Sequence, residues 1–271
     1  MQTRREATRE ATIREIKQTA LARMRAEGTI DVRLSDVARD MRMSAPGLYR
    51  YFDGRDGLLT ALIVDALTDL ADRVEAARDS VPPGDTGGRF LAIAQAYRAW
   101  ALADREGFTL IFGPALSGFS KGHQVHTPDA PDGPDKAAAL RAMEGLRSLA
   151  READAAGTRR PPPLTELPPV LVRAFCDGRL HGADPPTELA MVHCWASLHG
   201  FVTLEANGNL AWHGPEVREP MFLGLVRVLT GVLGLPEPAD GWPEGTPSGR
   251  PTDVAGAAGR ASAGSSPAPG R

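Results

Sequence analysis

Apolar residues recur at helical spacing along nearly the whole chain, and no stretch of any length alternates with the period of a strand. Residues 7–27 carry Ile13, Ile16, Ala20 and Met24 on one stripe, and Gly28 follows where a C-cap glycine ends a helix. Leu34, Val37, Ala38 and Met41 stand at i, i+3, i+4 and i+7, which predicts a short helix over 34–41. After a tight turn, Ser44 is placed as an N-cap, and Pro46 falls in the first turn, where its missing N–H costs nothing. Leu48 and Phe52, four apart, give a helix over 45–52 its buried face, while Tyr49, Arg50 and Tyr51 occupy the other. Asp53-Gly-Arg-Asp56 reads as an acidic variant of a capping box that opens a long helix reaching about Ala77, with Leu59, Leu62, Ile63, Ala66 and Leu70 inward.

Beyond a Pro/Gly-rich break at 80–88 the pattern stays helical. Helices are expected over 87–103, with Tyr97 and Trp100, and over 104–112, with Phe108 and Phe112. A loop over 113–134 precedes an Ala-rich helix at 136–156, and a second, proline-rich loop covers 157–168. Helices at 169–180, 186–206 and 215–234 complete the body. After Leu235 the chain turns to Pro, Gly, Ala and Ser with few large apolar groups, so 236–271 is expected to be a disordered tail. The expected domains are therefore 1–55, 56–235 and that tail, in an all-α fold: a three-helix module followed by a larger helical bundle.

Composition changes this picture in two places. Net charge is −3, yet residues 1–60 hold twelve Lys/Arg against nine Asp/Glu, and the remainder is acidic. A basic small module on an acidic body suits docking one end on nucleic acid, with modest, salt-sensitive non-specific affinity. Hydrophobic residues make up 42% of the chain, but no uninterrupted apolar run is long enough to span a membrane. The opening MQTRREATRE has no apolar signal core, which predicts a cytoplasmic protein. Cys176 and Cys194 are too few and too far apart for a CxxC redox or zinc pattern.

The segment from Leu34 to Leu59 carries the chemistry. A short helix, a turn and a capped second helix exposing Tyr49, Arg50 and Tyr51 suit insertion into the major groove of DNA. Val37-Ala38, Ser44, Leu-Tyr-Arg-Tyr-Phe at 48–52, and Arg55 before Leu58-Leu59 resemble the helix-turn-helix signature of the tetracycline-repressor (TetR) family. The resemblance covers roughly residues 10–65 and implies a homodimer with an N-terminal DNA-binding domain and a C-terminal domain for ligand binding and dimerisation. It further implies that Ser44, Ala45, Pro46 and Gly47 approach bases, and that Tyr49, Tyr51, Arg55 and Ser35 hold phosphates. Where the family usually has a left-handed glycine, this chain has Arg42. Either Arg42 adopts another turn, or its side chain gains a phosphate contact, or it is a plain solvated arginine. Only Arg50 has a side chain suited to bidentate guanine recognition, so thymine methyl contacts and DNA shape are expected to contribute much of the specificity. The Tyr49 ring can also pack on the first helix while its hydroxyl reaches phosphate.

Residues 217–233 are apolar on nearly every side, so this helix must be covered from two sides. A second subunit is the expected cover, with Leu189, Val192, Ala196, Phe222, Leu225, Leu229 and Val232 in the interface; burial within one monomer is the alternative. Trp195-Ala-Ser-Leu-His199-Gly200 resembles a C-terminal domain type of the family named for Trp-His-Gly. There, His199 reads as a satisfied core histidine before it reads as a ligand. Tyr97, Trp100, Phe108, Phe112, Trp195, His199 and Phe201 are candidates to line a pocket for a small apolar effector, or to fill a solid core.

No catalytic or metal pattern competes. His193 and His199 are six apart, about 240° around a helix, and cannot share a metal. His123 and His126 sit in the expected loop with no carboxylate at ligand spacing, and there is no Gly-x-Ser-x-Gly, Gly-x-Gly-x-x-Gly or phosphate loop. The expectation is a non-enzymatic, ligand-responsive transcriptional repressor without cofactor, binding a near-palindromic operator as a homodimer. The alternative is a constitutive or architectural DNA-binding protein without effector.

Overall fold

The structure, a computed structural model, describes residues 4–113, 134–176 and 184–248. Its described residues are helical, in the order α1 (Arg4–Glu27), α2 (Leu34–Asp40), α3 (Ala45–Leu48), α4 (Gly54–Asp79), α5 (Thr86–Ala103), α6 (Arg105–Phe112), α7 (Pro134–Ala155), α8 (Pro169–Cys176), α9 (Pro185–Ala206) and α10 (Pro215–Val232). An aspartate caps several of these starts. Asp85 accepts from the Gly88 amide at 2.8 Å, Asp104 from Gly107 at 3.1 Å and Asp184 from Thr187 at 3.1 Å. Gly28 ends α1 at φ 63°, with the Thr29 amide returning to the Met24 carbonyl at 3.2 Å.

Two apolar cores share α4. The smaller gathers Ile16, Ala20 and Met24 of α1, Val37 and Ala38 of α2, Leu48, Phe52, and Leu58, Leu59, Leu62, Ile63 and Leu67 of α4. The larger joins the second half of α4 to α5, α7, α9 and α10. The N-terminal module therefore extends well past residue 55, because the first half of α4 is its fourth wall. Leu110 of α6 is buried in the smaller core, and Ile111 touches both.

Other departures have local causes. The helix expected over 45–52 ends at Leu48, and 49–52 form turns in which the Tyr51 amide bonds the Leu48 carbonyl at 2.9 Å. This lets Phe52 drop into the core just before Gly54, at φ 70°, starts α4. Asp53 makes no side-chain cap, so the capping box does not form. Residues 236–248, expected to be disordered, lie along α10: Arg227 donates to Glu237 at 2.8 Å and to the Pro247 carbonyl at 3.2 Å, and sits 5.6 Å over the Trp242 ring. One tryptophan and stiff prolines suffice to hold this segment, because prolines lose little chain entropy on ordering. The rest of the expected tail, 249–271, lies outside the described residues, as do most of the 113–134 loop and residues 177–183.

Candidate nucleic-acid interface and effector core

The turn between α2 and α3 positions the DNA-facing residues. The Met43 amide closes onto the Ala38 carbonyl at 2.8 Å, which forces Arg42 to φ 54°. Arg42 is the single non-glycine residue at positive φ among those described, so it adopts the left-handed turn. Ser44 accepts the Gly47 amide at 3.2 Å, as an N-cap should. A Cβ on Gly47 would stand 3.1 Å from that Ser44 oxygen, so a side chain there would require the cap to shift by a few tenths of an ångström. Ala45 opens α3 and Pro46 is exposed in its first turn. Tyr49 is 59% exposed, so most of its ring is open to solvent. Ser35 and Arg50 are also exposed, while Tyr51 is half-buried with the Arg9 guanidinium 5.6 Å over its ring.

Arg55 differs from the rest of the set. It donates to Asp31 at 2.6 Å and to the Val32 carbonyl at 3.3 Å, so it clamps α4 to the α1–α2 connection. Sequence reasoning passed over Arg9, whose guanidinium donates to the Arg50 carbonyl at 3.4 Å. The signal was available: Arg9 stands four residues before Ile13 on the face that α1 turns inward.

In the body, five of the seven candidate residues converge. The Tyr97 hydroxyl and His199 Nδ1 share a hydrogen bond at 2.7 Å, and His199 Nε2 lies 3.3 Å from the Thr203 hydroxyl. Trp195 stacks on the His199 ring at 5.0 Å and 15°, and Phe112 and Phe108 approach it at 4.7 and 5.7 Å. Burial pushes the Tyr97 phenol well above its ordinary pKa, so it stays protonated. Trp100 borders the cluster through Phe108 at 6.3 Å, but its Nε1 donates to Asp69 of α4 at 3.0 Å. Phe201 is not part of the cluster. Two residues beyond His199, it points around α9 to Phe222 at 5.7 Å.

The expected interface set also divides. Phe222 and Leu229 are buried in the chain's own core, because they lie on the inner face of α10 with Val226. They cannot meet a partner. Val192 (45% exposed), Ala196, and the partly covered Leu189, Leu225 and Val232 do face outward, together with Val228, 64% exposed. Among the described residues no group of three His, Cys, Asp or Glu is placed to hold a metal, and no helix is long and apolar enough to cross a membrane. His123 and His126 lie outside the described residues.

A family model described as "Tetracyclin repressor-like, C-terminal domain" matches residues 90–229, more than half of the chain, including the Trp195–Gly200 stretch. The chain belongs to the TetR family. Curated relatives include the HTH-type transcriptional regulators Rv1816 of Mycobacterium tuberculosis and Mb1846 of Mycobacterium bovis, each 38% identical over 92 residues, 34% of this chain. That alignment spans 39% of the length of each relative. The crystal structure of SCO4313, described as a regulatory protein, superposes with a TM-score of 0.66 at 30% identity, covering 84% of this chain and all of that one. A protein of unknown function from Rhodococcus sp. RHA1 has the same fold, with a TM-score of 0.55 at 24% identity over 79% of this chain and 94% of its own.

Proposed function

We propose that this TetR-family regulator is an effector-responsive repressor that binds a near-palindromic operator as a homodimer, with α3 and residues 49–51 in the major groove. The observation that carries the reading is the position of α6. Its Phe108 and Phe112 stand in the aromatic cluster around His199, while its Leu110 is buried in the core of the DNA-binding module. At its other end, Arg25 of α1 donates to Glu106 at 3.0 Å and lies 3.8 Å from Asp104. A molecule that parts the rings of Tyr97, Phe112, Trp195 and His199 must move α6, and α6 cannot move without disturbing the module that holds α3. The coupling works only for a ligand with different affinities for the two arrangements.

The effector that fits is small, flat and largely apolar, with one polar group to replace the Tyr97–His199 hydrogen bond; stacking on Trp195 and His199 favours an aromatic compound. The test is a thermal-shift screen of such compounds, followed by measurement of operator release. A compound that raises the melting temperature and lowers operator affinity supports the reading; stabilisers that never change DNA affinity sink the coupling. The mutual contact of the rings, at 4.7 to 6.4 Å, favours a constitutive or architectural DNA-binding protein with a solid body as the second reading. That reading requires the screen to return no compound that does both.

A further inference from the structure

The inward face of α1 changes character along its length. Met24, Ala20, Ile16 and Ile13 pack into the smaller core, but one and two turns earlier the same face presents Arg9 and Arg5. Here α1 has run past the core. Arg4, Arg5, Thr8 and Arg9 are all exposed, and with Arg50 and Tyr51 they line an open concavity on the edge of the DNA-facing surface. Four of its six lining residues are arginines and none is a carboxylate.

Arg4 and Arg5 stand at the start of the described part of α1, exposed and on the wall of this concavity. The concavity is also anchored. Arg9 reaches across to the Arg50 carbonyl and covers the Tyr51 ring, which fixes the start of α1 against the segment that follows α3. A polyanion running past Arg50 and Tyr51 is therefore led to the anchored Arg9 and, beyond it, to the exposed Arg5 and Arg4.

We infer that Arg4, Arg5 and Arg9 extend the DNA interface beyond the helix-turn-helix and hold backbone phosphates that flank the segment read by α3. The proposal rests on the DNA-binding reading of this chain and adds residues that the helix-turn-helix signature does not contain. Contacts of this kind carry no sequence information; they add affinity and register. Charge complementarity selects the occupant, since guanidinium groups bind phosphate oxygens and each contact displaces condensed counterions from the duplex.

Counterion release makes the inference measurable without knowing the operator. The full-length chain is titrated against a fluorescent mixed-sequence duplex by anisotropy over a range of KCl concentrations. Arg4→Ala/Arg5→Ala leaves the Arg9–Arg50 bond intact and should flatten the plot of log K against log[KCl] by close to 2 per bound protomer, since each phosphate contact contributes about 0.9. Adding Arg9→Ala should flatten it further. The corresponding Arg→Lys variants should keep the wild-type slope, because lysine neutralises a phosphate as a point charge. Circular dichroism should show the same helicity and melting temperature for the Arg4 and Arg5 variants, whose side chains are exposed, whereas Arg9→Ala also loses its contacts with Arg50 and Tyr51 and should melt slightly lower. A wild-type slope in the alanine variants would overturn the inference while leaving α3 as the reading element. So would lysine variants as impaired as the alanine ones, or a loss confined to A·T-rich duplexes, which would indicate minor-groove reading. Failure of the wild-type chain to bind any duplex would instead remove the DNA-binding reading itself.

Discussion

Arg42 stands in a conformation that most L-residues avoid, and it is exposed. A left-handed non-glycine residue costs on the order of 1 kcal/mol, so Arg42→Gly should raise stability to urea by roughly that amount. If the guanidinium holds a phosphate, the same variant weakens DNA binding on all sequences alike; unchanged affinity would make Arg42 a plain solvated arginine. The reverse holds two residues later. Ser44→Ala removes one of the two Ser44 oxygens that accept from the Gly47 amide, leaving the carbonyl at 2.8 Å, and should cost about 0.5 kcal/mol, read as a lower urea midpoint. The two cysteines make a third prediction at this scale. Cys176 is exposed, whereas burial pushes the Cys194 thiol up to about 12, so at pH 8 it is neutral and covered. A thiol reagent should therefore modify one cysteine quickly in the native protein and the second only after denaturant is added. Two fast thiols would place Cys194 at the surface.

At the scale of elements, periodicity made the long helices readable, because an apolar stripe three or four residues apart has only one way to be buried. α1, α4, α5, α9 and α10 all lie within a few residues of their expected limits. The misreadings share a physical cause: they depend on which neighbour an element meets. α3 is one turn long because Phe52 must leave the helix to reach the core. α6 looks like one more body helix, yet Leu110 belongs to the DNA-binding module, a fact set by tertiary contact alone. Phe112 and His199 were found together by residue type, while Phe201 was misplaced because its direction around α9 depends on what α10 offers. The polar tie of the body was also invisible in the sequence. Arg98 of α5 holds Glu205 of α9 through two bonds at 2.6 and 2.8 Å, reaches Glu219 of α10 and lies 4.7 Å over Phe222. Glu205 is almost fully buried, so Arg98→Ala leaves its carboxylate with only the longer Arg218 ion pair at 3.8 Å and should cost about 3 kcal/mol. A loss under 1 kcal/mol in urea unfolding would show that the three helices do not depend on this tie.

For the whole molecule, α10 is the deciding element, because its three faces meet three different environments. Phe222, Val226 and Leu229 face the chain's own core, Arg227 holds the 236–248 segment, and Val217, Met221 and Val228 are exposed on a stripe that also carries Gly224, against which Pro247 packs. Beside them, Val192 and Ala196 of α9 are exposed too, and a Cβ on Gly200 would meet nothing within 4 Å, so another helix can approach closely. An apolar surface built from two adjacent helices is what a two-fold four-helix contact requires, since each copy presents the same patch to the other. The test must use residues that the fold itself does not need. Leu229→Glu buries a charge in the monomer core and reports only misfolding. Val228→Glu lies on the exposed face, so a single chain tolerates it, and circular dichroism should be unchanged. In a dimer the same glutamate becomes a buried unpaired charge costing roughly 3–5 kcal/mol, which weakens association by about two to nearly four orders of magnitude. Sedimentation should then find dimers of the wild type and monomers of the variant at the same concentration. Those monomers should also lose operator affinity, because two recognition helices about 34–36 Å apart must engage one DNA face together. A Val228→Glu protein that stays dimeric and keeps its operator affinity would place the subunit contact on another face.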